Sequence, residues 1–203
     1  MPYFVSFLEV NDMAQNLEKR NRTKQKLADA LVELCEEKNY YDITVWDICN
    51  KAQLYRSTFY RYYETKDDML REIELEYVEE TQKLTKSLGD FRSDASEEKM
   101  QFFLKELTDD MEYHRSNARL CRFLLSPAGD IYFHQKMVES LGKTVRQQIQ
   151  KSGKHRPARE THYLVTYFAS GFVSTIHEWL IRDDCTPGEM AAFLLEMIKR
   201  FET

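Results

Sequence analysis

Glycine and proline are scarce, six and four in 203 residues, and few segments alternate apolar and polar positions. Turn-rich β architectures need both features, so an all-helical chain is expected. No apolar run approaches the roughly 18 residues that a membrane span requires. Residues 1–10 are apolar but lack a basic start and a small-residue cleavage site, so they do not read as a signal peptide, and Met13 offers an alternative start. The four cysteines, Cys35, Cys49, Cys121 and Cys185, are scattered without CxxC spacing. They read as small buried hydrophobes in a reducing cytosol rather than bridges or zinc ligands, and the expected location is cytoplasmic. Catalytic signatures are missing too. His114, His134, His155, His162 and His177 form no HxxxH or HExxH, and no Gly-rich phosphate loop, nucleophile elbow or paired-carboxylate motif is present. An enzyme has no positive support, and neither a cofactor nor a metal is expected. No internal repeat or low-complexity tract appears.

Positive charge is also in deficit, with 29 Lys and Arg against 34 Asp and Glu, a net of −5. Its distribution is uneven. Residues 19–71 carry eleven basic and nine acidic side chains, while the remainder is acidic. Lys19, Arg20, Arg22, Lys24 and Lys26 crowd the start of the first core helix. Such a cluster suits phosphate contact or a solvated helix end, and its neighbourhood favours phosphate.

That neighbourhood is residues 44–63, which read as a helix-turn-helix. Thr44 is a good N-cap, and Asp47 sits where a carboxylate answers the cap. Val45, Ile48 and Cys49 form one apolar face, and Ala52 is small enough for two helices to cross closely. After a turn at Gln53-Leu54, a second helix, 56–63, carries Phe59 and Tyr63 inward. Its other side offers Arg56, Ser57, Thr58, Tyr60, Arg61 and Tyr62. These are guanidinium forks, hydroxyls and phenols with no carboxylate among them, suited to phosphates and base edges.

Ahead of this motif, a helix from about Thr23 to Lys38 repeats Leu27, Leu31, Leu34 and Cys35 at helical spacing, and Asn39 can serve as a left-handed stop. After it, Thr65 and Asp68 repeat the cap-plus-acid pattern and start a fourth helix near Lys66, carrying Met69, Leu70, Ile73, Tyr77 and Leu84 to about Leu88. Lys66 in its first turn is electrostatically unhelpful to the helix, so a phosphate partner is expected.

Taken together, Thr44, Ile48, Ala52, Ser57-Thr58-Phe59-Tyr60, Tyr63, Lys66 and Leu70 resemble the DNA-binding domain of TetR/AcrR-type transcriptional regulators over about a quarter of the chain. The resemblance implies a sequence-specific DNA-binding regulator. Three positions depart from it. Asn39 and Gln53 stand where the family commonly has Gly, and Tyr55 stands where Ser or Thr commonly caps the recognition helix. The expected DNA-binding set is Thr44, Tyr55, Arg56, Ser57, Thr58, Tyr60, Arg61, Tyr62 and Lys66. Within it, Thr44, Tyr60, Tyr62 and Lys66 mainly hold phosphates, and Arg56, Ser57, Thr58 and Arg61 reach base edges.

The remaining chain reads as five helices: about 96–113, 118–125, 131–151, 157–182 and from Thr186 onward. Residues 89–97 read as a loop, and Pro127, Gly129 and Ser152-Gly153 as stops. The last helix has Thr186 as N-cap, Pro187 at its first position and Glu189 completing a capping box. The two closing helices carry wide apolar faces, resembling the closing pair of many TetR-type regulators, which implies a homodimer. The expected interface is Phe172, Ile176, Trp179, Leu180, Met190, Phe193, Leu194 and Met197; the alternative is that the pair closes the monomer's own core. The resemblance also implies a pocket for a small-molecule effector, with Phe103, Met111, Phe123, Met137, Tyr163, Tyr167, Phe168 and His177 as candidate lining, although aromatics and Met at helical spacing are usually core.

The expected organisation is an arm at 1–18, a three-helix DNA-binding domain at 19–66, and a helical ligand-binding and dimerisation domain at 67–203, entered through a linking helix. The expected function is an effector-responsive repressor that binds a palindromic operator as a homodimer. The alternative is a TetR-fold adaptor or coactivator acting through a protein partner.

Overall fold

Leu27, Leu31 and Leu34 recur on one face of the first helix, and all are buried. They belong to α1, Phe7–Glu37, the longest element of the computed structural model, which describes residues 7–86, 90–92, 94–126, 129–130, 132–151 and 156–202. A short 3-10 turn, η1 (Tyr40–Asp42), follows. Then come α2 (Val45–Lys51), α3 (Arg56–Phe59), α4 (Lys66–Leu84), α5 (Glu97–Ser116) and α6 (Ala118–Leu125). The chain closes with α7 (Phe133–Lys151), α8 (Ala158–Arg182) and α9 (Pro187–Glu202). Among the described residues there is no strand, as expected of an all-α chain.

Two compact units emerge, Met1–Ile73 and Glu74–Thr203. The division falls within α4, beyond the 66/67 position read from sequence. Residues 7–18, set apart there as an arm, are the first turns of α1. This stretch contains Leu, Glu, Met, Ala and Gln without Gly or Pro, a composition that favours a helix by propensity. Residues 1–6, Ser87-Leu88, Gly89, Pro127, Ile131 and Ser152-Gly153 lie outside the described residues, and with them the expected helix and loop limits at those positions.

Asn39 is extended, with φ −62° and ψ 141°, rather than left-handed. Its carboxamide oxygen accepts from the Tyr41 N–H, so it caps η1 instead of stopping α1. Leu27, Leu31, Ile43, Ile48, Phe59 and Met69 form the core of the first unit. α4 starts as anticipated: the Asp68 carboxylate takes the Thr65 N–H and hydroxyl at 3.0 and 2.7 Å, while the Thr65 Oγ accepts from the Asp68 N–H at 3.1 Å.

In the second unit α5 packs on α9 and α7 on α8, with α6 against α7 and α8. Phe103, Leu107 and Met111 make the inner stripe of α5, and Val165, Ala169, Val173 and Ile176 that of α8. The fully enclosed Trp179 ties the end of α8 to the start of α9. Its indole N–H donates to the Cys185 carbonyl at 3.0 Å, and the Arg115 guanidinium lies over its ring at 5.9 Å. α8 ends on Asp183, left-handed at φ 52°, whose N–H returns to the Trp179 carbonyl at 2.8 Å. The α9 capping box between Thr186 and Glu189 forms as read, with Thr186 donating N–H and hydroxyl to Glu189 Oε2 at 2.8 Å each.

Candidate nucleic-acid interface and effector cavity

α2 is set by a closed ring at its start. The Thr44 hydroxyl and N–H both donate to Asp47 Oδ2, at 2.7 and 2.8 Å, and the Asp47 N–H donates back to Thr44 Oγ at 3.2 Å. Those bonds from Thr44, with Lys38 at 3.0 Å, hold the Asp47 carboxyl down at about 2. The Thr44 hydroxyl is therefore committed to the cap. Its expected phosphate contact would have to displace Asp47, and the structure gives it a positioning role instead.

The turn that follows ends α2 as a Schellman motif. Leu54 N–H reaches the Cys49 carbonyl at 2.9 Å and Gln53 N–H the Asn50 carbonyl at 3.2 Å. This geometry needs a left-handed residue, and Gln53 supplies it at φ 56°. A side chain there is strained by about 1–2 kcal/mol relative to Gly, so the departure in sequence costs stability without changing the turn.

α3 is shorter than the helix expected over 56–63. Only Arg56–Phe59 is α-helical, and Tyr55 makes no side-chain cap at its start. Hydrogen bonds from Tyr62 and Tyr63 N–H to the Phe59 carbonyl continue the turn tightly, at 2.9 and 3.0 Å. Phe59 and Tyr63 point inward and are buried. Arg56, Ser57, Tyr60 and Arg61 are exposed, Thr58 and Tyr62 half-buried, and Tyr55 is 84 % exposed. Among the described residues, neither Arg56 nor Arg61 has a carboxylate partner. Trp46, which the sequence reading passed over, also stands exposed. Its signal was its place between the inward positions Val45 and Ile48. On α1, Lys19, Arg20, Arg22 and Lys26 are exposed, whereas Lys24 is paired with Glu72.

Lys66 is the main correction. Its ammonium donates to the carbonyls of Tyr40 and Ile43 at 2.7 Å and of Tyr41 at 3.2 Å, and sits 4.4 Å from the Tyr40 ring centroid. An ammonium has three donors, and all three are spent on η1 and its C-cap Ile43. The cation at this helix start answers a cluster of carbonyls, not a phosphate.

In the second unit, α4, α5, α7 and α8 surround a cavity of about 30 Å³. Asp110 and His114, one turn apart on α5 and 1 % and 2 % exposed, line it together with Thr81, Thr85 and Ser140. His114 Nδ1 lies 2.5 Å from the Tyr77 hydroxyl, and Nε2 3.6 Å from Asp110 Oδ2. Burial pulls the imidazole pKa down, but the Asp110 carboxylate beside it outweighs burial, and His114 stands at about 10. Burial pushes the Tyr77 phenol well up. Asp110 Oδ1 and Glu74 Oε1 are the buried side-chain oxygens without a hydrogen-bond partner among the described residues.

Of the expected pocket residues only Met137 lines this cavity. Tyr167 and Phe168 instead line an apolar groove of about 250 Å³ between α8 and α9, with Gly171, Phe193 and Met197. Phe103, Met111 and Phe123 are core, Tyr163 is exposed, and His177 is half-buried on α8, its pKa pushed down by burial. Asp110 and His114 were missed. Their signal was position: both fall on the same face as Leu107 and Met111, where a carboxylate and an imidazole are out of place.

The expected dimer residues also need correction. Phe172, Ile176, Trp179, Leu180, Met190 and Leu194 are buried within the single chain, so they close its own core. The apolar surface left on α8 and α9 includes Tyr163, Tyr167 (79 % exposed), Gly171, Ile181 and Phe193, with Met197 half-buried. Tyr163, Tyr167, Gly171 and Ser174 recur at helical spacing and form one exposed stripe of α8.

Comparison with known proteins agrees with this architecture at both ends. The family profile described as "Bacterial regulatory proteins, tetR family" matches residues 27–73. That described as "Transcriptional regulator C-terminal region" matches residues 100–200. The chain is 23% identical over 191 residues to the HTH-type dhaKLM operon transcriptional activator DhaS of Lactococcus lactis, covering 93% of this chain and 97% of that one. A TetR transcriptional regulator from Streptococcus agalactiae 2603V is 25% identical in its crystal structure, with a TM-score of 0.60 over 92% of this chain and 98% of that one. FadR from Bacillus subtilis, in complex with stearoyl-CoA, shares the fold at 17% identity and a TM-score of 0.58, over 86% and 96% of the two chains. The helix-turn-helix unit and the helical unit behind it are each matched, and the chain belongs to the TetR family of transcriptional regulators, DNA-binding proteins rather than enzymes.

Proposed function

We propose that this chain binds a twofold-symmetric operator as a homodimer and changes its operator affinity when a small molecule occupies the second unit. The observation that carries the reading is the α3 face: Arg56, Ser57, Tyr60 and Arg61 exposed, carboxylate-free and held on the buried Phe59 and Tyr63. Arg56, Ser57, Thr58 and Arg61 read base edges. Tyr55, Tyr60 and Tyr62, with the exposed basic residues of α1, hold phosphates. Thr44 and Lys66 act one step back, fixing α2 and η1.

A single turn of helix reads too few base pairs to specify a site, so a second copy is needed, related by a twofold axis. The α8 stripe of Tyr163, Tyr167 and Gly171, with Phe193 of α9, is the surface for that copy. Small residues in the stripe let two helices approach closely. α4 begins at Lys66 and carries Thr81 to the cavity, which Thr85 just past its end also lines, so a ligand there touches the helix that leads to the reading head.

The proposed sign of control is repression, relieved by the effector. A second reading has its own support: the Lactococcus relative, aligned over 97% of its length, is named an operon activator. Reporter transcription with and without the protein separates the two. The interface is tested by the double substitution Arg56→Ala/Arg61→Ala. Operator affinity should fall by at least about 100-fold, as each specific contact contributes about 1–3 kcal/mol, with circular dichroism and unfolding midpoint unchanged. Unchanged operator binding would favour an adaptor that works through a protein partner.

A further inference from the structure

We propose that the Asp110–His114 cavity is a binding site for a small uncharged polyhydroxyl molecule of two or three carbons, an inference that rests on the reading of the second unit as effector-binding. Asp110 Oδ1 is buried and lacks a partner among the described residues. An unpaired buried acceptor costs about 1–3 kcal/mol, and more when charged, so a native chain keeps one where something comes to meet it. What comes must bring a hydrogen-bond donor.

The rest of the lining defines the class. Thr81 and Thr85 donate their hydroxyl protons to the Val78 and Thr81 carbonyls at 3.0 and 2.7 Å, which leaves their oxygens as acceptors. The Ser140 oxygen accepts from the Gln82 amide at 2.6 Å, which leaves its proton to donate. The site thus presents three acceptors and a donor over a short span, the pattern that vicinal hydroxyls satisfy. Charge excludes the ionic alternatives. The carboxylate of Asp110 and the imidazolium of His114 balance each other, so a cationic ligand meets His114 and an anionic one meets Asp110. Met137, Leu141, Phe172, Val173 and Ile176 give the carbon skeleton an apolar wall. The free space is about 30 Å³, room for a water or two, and it opens to solvent, so a two- or three-carbon polyol replaces that water with its hydroxyls and extends into the mouth. Exposed Gln82 and half-buried Thr144 mark its mouth.

The test uses the full-length protein with histidine labelled for NMR. Ethylene glycol and glycerol are titrated as probes, n-propanol as the single-hydroxyl control and ethanolamine as the cationic one. The two polyols should move the His114 ring signals saturably, with n-propanol and ethanolamine at least about tenfold weaker, the equivalent of one lost hydrogen bond to a charged group. Asp110→Asn should weaken polyol binding by a similar factor. Should that variant not fold, Ser140→Ala and Thr85→Val keep the comparison, each expected to weaken binding severalfold. Shifts that rise linearly and equally in wild type and variants would be a general solvent effect and would overturn the site. So would tighter binding of ethanolamine. Operator selection on the same sample separates the two levels: a selected operator without saturable polyol binding sinks this inference alone, and saturable binding without any operator sinks the regulatory reading.

Discussion

Replacing Lys66 by methionine keeps the aliphatic stem beside Tyr40 and removes the ammonium that three carbonyls share. Hydrogen bonds from a charged donor contribute about 1.5–3 kcal/mol each when buried. Two of the three are short, at 2.7 Å, and one is 3.2 Å. The site is half-buried, so water replaces part of what is lost. The cation over the Tyr40 ring adds about 0.5–1 kcal/mol. Together these give an expected destabilisation of about 2–3 kcal/mol, seen in urea unfolding followed by circular dichroism as a midpoint lower by about 1 M. Because η1 and the start of α2 lose their tether, operator affinity should fall as well, but with an unchanged salt slope. The opposite pattern would place Lys66 on a phosphate. If Lys66 served a phosphate, Lys66→Met would leave the unfolding free energy within about 0.5 kcal/mol and lower the salt slope of DNA binding by about one.

Three further outcomes follow from the same geometry. Gln53→Gly should stabilise the chain by about 0.5–1 kcal/mol in thermal or urea unfolding, since relief of the left-handed strain exceeds the extra freedom of glycine in the unfolded state; destabilisation would contradict the turn described. Thr44→Ala should cost about 1 kcal/mol near neutral pH. The Asp47 carboxyl is depressed to about 2 from an ordinary 3.8, so that cost should be fully present above about pH 4 and fade as pH falls through about 2. A difference between variant and wild type that stays constant down to pH 2 would separate the cap from the Asp47 charge. Tyr167→Arg should abolish dimerisation in sedimentation while leaving the monomer's secondary structure intact, because Tyr167 contributes nothing to the core. Ile176→Ala, by contrast, should cost about 2–5 kcal/mol of stability.

What could be read from the chain alone was what local chemistry decides. The cap-plus-acid pairs at Thr44, Thr65 and Thr186 each closed as expected, because a capping box involves only residues three apart. Phe59 and Tyr63 faced inward because helical spacing leaves them no choice. The misread positions depend on partners distant in sequence. Lys66 looked like a phosphate ligand because its carbonyl partners lie 23 to 26 residues earlier. Asn39 looked like a helix stop because η1 had no apolar pattern to reveal it. α1 began sixteen residues before the expected Thr23 because that stretch, free of Gly and Pro, favours a helix by propensity. The dimer set was drawn from the most apolar faces of α8 and α9, but those faces meet α7 and α5 of the same chain. The cavity was sought among aromatics and methionines, whereas its distinguishing groups are a carboxylate and an imidazole inserted into the inner stripe of α5.

α3 is proposed to read a specific, twofold-symmetric DNA site. The most direct measurement is selection by the purified protein from a random-sequence duplex pool at two salt concentrations. The expected result is enrichment of a palindrome, bound by two copies of the chain, with affinity falling steeply as salt rises. Weak, salt-sensitive binding without any enriched sequence, unchanged by Arg56→Ala/Arg61→Ala, would contradict it.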